Sequence, residues 1–125
     1  MTSDRAGGPF SRALRLTRAR DIARVFRAGL SLSNPYLVIK ARRRSGPLPA
    51  RIAFAIARRH VASAVQRNRA KRIVRESFRR HAESLRGYDI VVVSRPQLSK
   101  AEGRELRNMV DQQWSRLLSE PGRQA

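Results

Sequence analysis

The run Ile90-Val91-Val92-Val93 limits the fold more than any other stretch of this chain. Four consecutive β-branched residues favour extended backbone, and a continuous apolar run suits a strand buried on both faces. Such a strand belongs in a sheet that other elements cover. The neighbouring segments supply those elements. Thr17 to Ala28 is predicted as a short helix: Thr17 is a candidate cap, Ile22, Val25 and Phe26 share one face, and Gly29 stops it. Tyr36 to Ala41 reads as a strand opened by Asn34-Pro35, and Arg42 to Pro49 as a loop. In Arg51 to Ala57 the large Ile52, Phe54 and Ile56 alternate with Ala53, Ala55 and Ala57, which puts large side chains on one face and alanines on the other.

Ala62 to Leu85 is predicted as the long helix, with Ser63 at its start. Ala70, Ile73, Val74, Ser77, Phe78 and Leu85 fall on one side, with His81 among them; Asn68, Arg72, Arg75 and Arg79 fall opposite. Glu76 stands four residues from both Arg72 and Arg80, where helix-surface ion pairs form. Ser99 opens a last helix, with Glu102 completing a capping box and Leu106, Met109, Val110, Trp114, Leu117 and Leu118 as its buried stripe. The expected class is α+β, a small β-sheet packed with helices in the order α-β-β-α-β-α. Residues 1–15 and 119–125 read as flexible tails around a single domain at 16–118.

Composition then narrows the partners. Twenty-eight Lys and Arg residues against nine acids give a net charge of +19 in 125 residues. That imbalance repels itself on folding, which points to a polyanion outside the chain rather than to a merely soluble surface. Only Lys40, Lys71 and Lys100 are lysines; guanidinium groups dominate, and these grip phosphate bidentately and stack on bases. The absence of cysteine excludes disulfides and thiolate metal sites and is compatible with a reducing cytosol. No apolar run is long enough to span a membrane, and the N-terminus lacks the apolar centre of a secretory signal. The expected location is the cytoplasm.

The charge concentrates between Arg58 and Arg80, where nine basic residues meet one acid, Glu76. Solvated helix faces usually mix signs, because like charges at i,i+4 destabilise a helix. Here Arg67 with Lys71, and Arg75 with Arg79, are such pairs. The pattern favours phosphate binding. Asn68, alone a neutral filler, can between Arg67 and Arg69 offer its amide to a base edge, a ribose hydroxyl or a metal-bound water.

Arg67-Asn68-Arg69-Ala70-Lys71-Arg72, followed by Arg75-Glu76-Ser77-Phe78-Arg79, resembles the signature of the bacterial ribonuclease P protein family. The resemblance extends from about Leu16 to Leu118. It implies a left-handed βαβ crossover around the signature helix, in a fold shared with a domain of a small-subunit ribosomal protein. Sequence alone gives no such hand, since these crossovers are right-handed in nearly all proteins. It implies the function of a protein subunit that binds the catalytic RNA and the 5′ leader of precursor tRNA, assisting endonucleolytic removal of the leader. Arg67, Asn68, Arg69, Lys71, Arg72, Arg75 and Arg79 take the signature positions. Arg58-Arg59 stands where the family has Ser-Lys-Lys, with Ala57 replacing the serine, and His60 beside them is an expected RNA contact. The leader cleft is expected from Ile22, Phe26, Tyr36, Lys40 and Phe54; Ile22 falls where the family often has Phe, and Lys40 near a usual tyrosine. From the residues alone, ordinary core is the better reading of Phe26 and Phe54, although an aromatic beside alanines on a sheet also makes a platform for single strands.

A nuclease acting without RNA needs metal-gripping carboxylates or a histidine acid–base pair. The acids form no close cluster beside the basic helix, and His60 and His81 are the only histidines, His81 on the apolar side. No catalytic residue, metal ligand or protein-bound cofactor is therefore assigned. By resemblance, magnesium belongs to the partner RNA, and no protein partner is required. A ribosomal-type RNA-binding protein, a protein-only nuclease and a DNA-binding helix module remain the rival readings.

Overall fold

Strand β4 (Tyr88–Ser94) lies inside a four-stranded sheet, in a computed structural model that describes residues 15–44, 46 and 48–119. Three further strands, β1 (Leu30–Ser33), β2 (Leu37–Arg43) and β3 (Arg51–Ala55), give the order β1-β2-β4-β3. β2 runs antiparallel to β4, from Leu37 opposite Ser94 to Arg43 opposite Tyr88. β3 runs parallel to β4, from Arg51 beside Asp89 to Ala55 beside Val93. The β-branched run is buried as its composition requires, Val93 alone being partly open.

Helices cover both faces. On one, α1 (Ala19–Ala28) buries Val25 against Leu16 and Val91, with Ile22, Ala53 and Val93 around them. On the other, α2 (Ala64–His81) and α3 (Gly103–Leu118) pack over Leu37, Ile39, Ile52, Ile90 and Val92. α2 is the crossover between the parallel strands β3 and β4. It buries Ala70, Ile73, Val74, Ser77 and Phe78, the face that helical spacing predicts. The α+β class holds, with one strand more than expected.

That extra strand is β1. Leu30 and Leu32 turn toward the core and alternate with Ser31 and Ser33, a pattern four residues long and weak in β propensity. Asn34 closes the hairpin: its Oδ1 accepts from the backbone N–H of Tyr36 at 2.7 Å and of Leu37 at 2.8 Å. Gly29 joins α1 directly to β1. A Cβ there would stand 2.4 Å from Val25 O and 2.8 Å from Ala41 O, so only glycine lets the helix end so close to β2.

Other boundaries and contacts differ from expectation. Arg18, not Thr17, is the N-cap of α1, without a side-chain bond. β2 continues through Arg42 and Arg43, because β4 offers partners along that whole length. α2 ends at His81; Leu85 is still fully buried, in the turns that follow. Ser99 lies in a 3₁₀ turn (Pro96–Lys100), and Glu102 caps α3 with no side-chain hydrogen bond, so the capping box is not formed. Glu76 meets Arg107 of α3 at 4.0 Å and Arg80 meets Asp111 at 3.3 Å, so these two charges of α2 pair across the helix–helix seam. In α3, Leu118 is exposed and Met109 half-buried, while Gln113 is buried, donating to Leu32 O at 2.8 Å and accepting from Asn34 Nδ2 at 2.6 Å. Apart from Arg15 and Ser119, the expected tails lie outside the described residues.

Candidate nucleic-acid interface

The interface is built on α2. Ser63 caps its first turn, accepting from Gln66 N–H at 3.3 Å. Because Ile73, Val74, Ser77 and Phe78 face the sheet and α3, the side chains of Asn68, Arg69, Arg72 and Arg79 stand exposed, with Lys71 and Arg75 half-buried at the margins. The structure thus brings the signature cations onto the outer side and margins of one helix.

Two of them, Arg67 and Arg75, have partners within the protein, and Arg69 lies close to a neighbouring helix. Arg67 folds back over the turn before the helix, its Nη1 donating to Val61 O at 3.0 Å and Ala62 O at 2.7 Å. Arg69 reaches toward the start of α3, where a Cβ on Gly103 would come within 2.8 Å of its Nη2. Arg75 lies over Phe54, its guanidinium carbon 5.2 Å from the ring centroid. Burial, and secondarily the charge of Arg15, lower the Arg75 pKa, but a guanidinium remains charged at any physiological pH.

The turn Arg58-Arg59-His60 carries the chain from β3 into α2. Arg58 and Arg59 are exposed. His60 Nδ1 lies 2.8 Å from Ser94 Oγ, and Ser94 Oγ also accepts from Ala57 N–H at 2.9 Å. Ser94, the last residue of β4, therefore fixes the turn to the sheet. Its place at the end of the β-branched run gave no sign of this task. A groove lined by Ala55, Ala57, Arg59, His60 and Val93 opens there, at the C-terminal ends of the two parallel strands.

The five residues expected to form one cleft divide between the two faces of the sheet. Ile22, Phe26 and Lys40 lie on the α1 side. Ile22 packs onto the small α1 cluster, Phe26 is 47% exposed, and Lys40 Nζ stands 5.6 Å from the Phe26 ring while donating to Ser31 Oγ at 2.8 Å. Tyr36 and Phe54 lie on the α2–α3 side and pack against the main core. The Tyr36 hydroxyl donates to Glu105 Oε1 at 2.7 Å, and that bond raises the tyrosine pKa. Alternation along the strands explains the division: Phe54 shares the face of Ile52, whereas the α1 side of β3 is the alanine face. The cleft on the α1 side is therefore floored by small side chains with Phe26 at its rim.

The acids serve ion pairs and hydrogen bonds. Asp89, almost fully buried, binds Arg51 at 2.8 Å and lies 3.0 Å from Arg44 Nε; Asp21 of α1 reaches Arg51 at 3.5 Å. Asp111 accepts from Ser77 Oγ, which accepts in turn from Trp114 Nε1 at 2.8 Å. His81 donates from Nδ1 to Ser77 O at 2.8 Å, within its own helix. Among the described residues no three His, Asp or Glu side chains are grouped to hold a metal ion.

Comparisons with known proteins agree with one another. The family model described as Ribonuclease P matches residues 10–118. The ribonuclease P protein component of Pseudoalteromonas atlantica is 41% identical over 108 residues, which cover 86% of this chain and 89% of the relative. That of Pseudomonas aeruginosa is 39% identical over 109 residues, covering 87% and 81%. Among solved structures, the RNase P protein from Thermotoga maritima shares 33% identity and a TM-score of 0.65 over 78% of this chain and 96% of that one. The Staphylococcus aureus RNase P protein, at 23% identity, has the same fold, with a TM-score of 0.77 over 85% and 96%.

Proposed function

Because this chain belongs to the ribonuclease P protein family, we propose that its basic helix docks on the catalytic RNA of ribonuclease P while the α1 side of its sheet receives the 5′ leader of precursor tRNA. The chain is a subunit of an endoribonuclease that is a ribonucleoprotein and processes tRNA; its partner is RNA. The outward cationic side of α2 carries the proposal, since Asn68, Arg69, Arg72 and Arg79 are exposed together on a helix whose other side is core.

In this reading the protein binds and positions. Arginines on α2 and in the Arg58–His60 turn neutralise phosphates and release counterions. Arg67, tied to the turn before α2, orients the start of the helix, and its remaining donors face RNA. Phe26 offers a ring for a leader base and Lys40 a charge for a leader phosphate, above the alanines of β3. Stacking and backbone contacts tolerate many leader sequences. Mature tRNA lacks that strand, so the precursor is favoured. Magnesium ions held by the RNA supply the hydrolytic chemistry, and no side chain of this protein is asked to cut. The working compartment is the cytoplasm; among the described residues no helix is long and apolar enough to cross a membrane.

Reconstitution tests this. Purified protein added to ribonuclease P RNA should speed leader removal at low magnesium. The double substitution Arg67→Ala with Arg69→Ala should lose most of that gain, and high magnesium should restore part of it. Unchanged cleavage in the double variant would remove the signature from the mechanism; cleavage by the protein alone would replace the mechanism with a nuclease.

A further inference from the structure

Arg15 is far from the signature in sequence, yet the fold brings it to the same side of the sheet. Residues 15 and 16 lie along the outer edge of β3: Arg15 bridges Ile52 in parallel register, and Leu16 N–H donates to Ile52 O at 2.9 Å. Residues paired in this way project to the same face of a sheet. Ile52 faces α2, so Arg15 does as well. Phe54 is two residues further along that face, with the Arg75 guanidinium over its ring. Two arginines from separate parts of the chain thus lie toward one face of β3, and the charge of Arg15 is the second cause, after burial, that lowers the Arg75 pKa.

Several arginines at the seams of this molecule are given an acid. Arg44 and Arg51 share Asp89, Arg80 has Asp111, and Arg107 has Glu76. Among the described residues Arg15 and Arg75 have no carboxylate within 4.0 Å. Backbone pairing fixes the approach of one, and an aromatic ring fixes the other. Two guanidinium groups carried on one face by neighbouring elements, with no carboxylate beside either, match the oxygens of a phosphodiester, which accepts from both.

We infer that Arg15 and Arg75 together bind one RNA phosphate at the outer edge of β3. The inference rests on the RNA-binding reading above and adds to it a residue from outside the signature. The site continues the row Arg72, Arg75 and Arg79 on α2, and it lies on the opposite face of the sheet from Phe26 and Lys40. Its phosphate therefore belongs to the strand along α2, that of the ribonuclease P RNA, and not to the leader.

The test measures binding of the full chain to ribonuclease P RNA across a salt series. Arg15→Gln should weaken binding about tenfold and flatten the log–log salt slope by about 0.7, the share of one phosphate. Arg15→Lys should keep the slope and recover only part of the affinity. Arg15→Gln with Arg75→Gln should lose less than the product of the two single losses, because one phosphate is lost once. Thermal unfolding of Arg15→Gln should match the parent, since the bridge to Ile52 is backbone. The control is Arg116→Gln, an exposed arginine in the last turn of α3. An Arg15→Gln variant indistinguishable from that control, or single losses that simply multiply, would overturn the site. A loss seen only with leader-bearing precursor would overturn its assignment to the catalytic RNA. If the unaltered chain shows no preference for ribonuclease P RNA over an unrelated RNA, the functional reading fails, and that appears before any substitution is made.

Discussion

Tyr36 shows how one side chain ties two distant segments. Its hydroxyl donates to Glu105 on α3, so the protonated phenol is the form the fold prefers, and its pKa is raised for that reason. The sign follows directly. The contribution is fully present below the ordinary phenol value of 10.0 and is lost as pH rises through the higher folded value. Unfolding midpoints followed upward from neutral pH should therefore fall above about pH 10, and Tyr36→Phe should remove that part of the fall while lowering the midpoint slightly at neutral pH. An identical alkaline profile in the variant would deny the bond any role. The same residue marks a limit of sequence reading. Tyr36 and Phe54 join Phe26 in the expected cleft because the family resemblance implies a cleft lined by aromatics of the first helix and the sheet. Which face each occupies depends on strand register, and a shift of one residue reverses it.

Between elements, the acid–base chain Asp21–Arg51–Asp89–Arg44 joins α1, β3, β4 and the chain after β2. Arg51 binds Asp89 through two parallel hydrogen bonds, 2.9 and 2.8 Å long. Asp89→Asn leaves both arginines with a neutral partner. Removing one member of a buried pair costs about 3–5 kcal/mol; Arg51 keeps some contact with water, so the low end, about 3 kcal/mol, is expected from urea unfolding. A loss under about 1 kcal/mol, the range of exposed pairs, would show the network to be superficial. The elements themselves were mostly legible. The β-branched run predicted the buried strand, and 3.6-residue spacing identified the inner face of α2 almost residue for residue. β1 was hidden because two leucines among serines are too short a pattern to outweigh the Asn34-Pro35 turn beside them. The first turn of α3 was misplaced because Ser99 and Glu102 have the spacing of a capping box, while the chain makes a 3₁₀ turn there.

At the scale of the whole molecule, charge and fold address different tasks. The core needs only the apolar stripes, and the cations remain outside it on α2 and the turn before it. Binding should then be governed by counterion release. With about five phosphates engaged on single-stranded RNA, the log–log dependence of affinity on salt should have a slope near −3.5; a flat response would contradict the electrostatic part. The signature helix was legible because its residues are contiguous. Arg15 was not, because its neighbours Ile52, Phe54 and Arg75 come from β3 and α2, and only the folded chain puts them beside it.

The pairing of residues 15 and 16 with Ile52 has one more effect. β3 bonds to β4 on its inner side, and on its outer side the described contact is that short segment. A shortened version starting after Leu16 would leave Ile52 O without its donor and lengthen the open edge of β3, where an extended peptide can pair. Such a truncation should self-associate edge to edge, and a proline placed at the exposed rim should keep it monomeric.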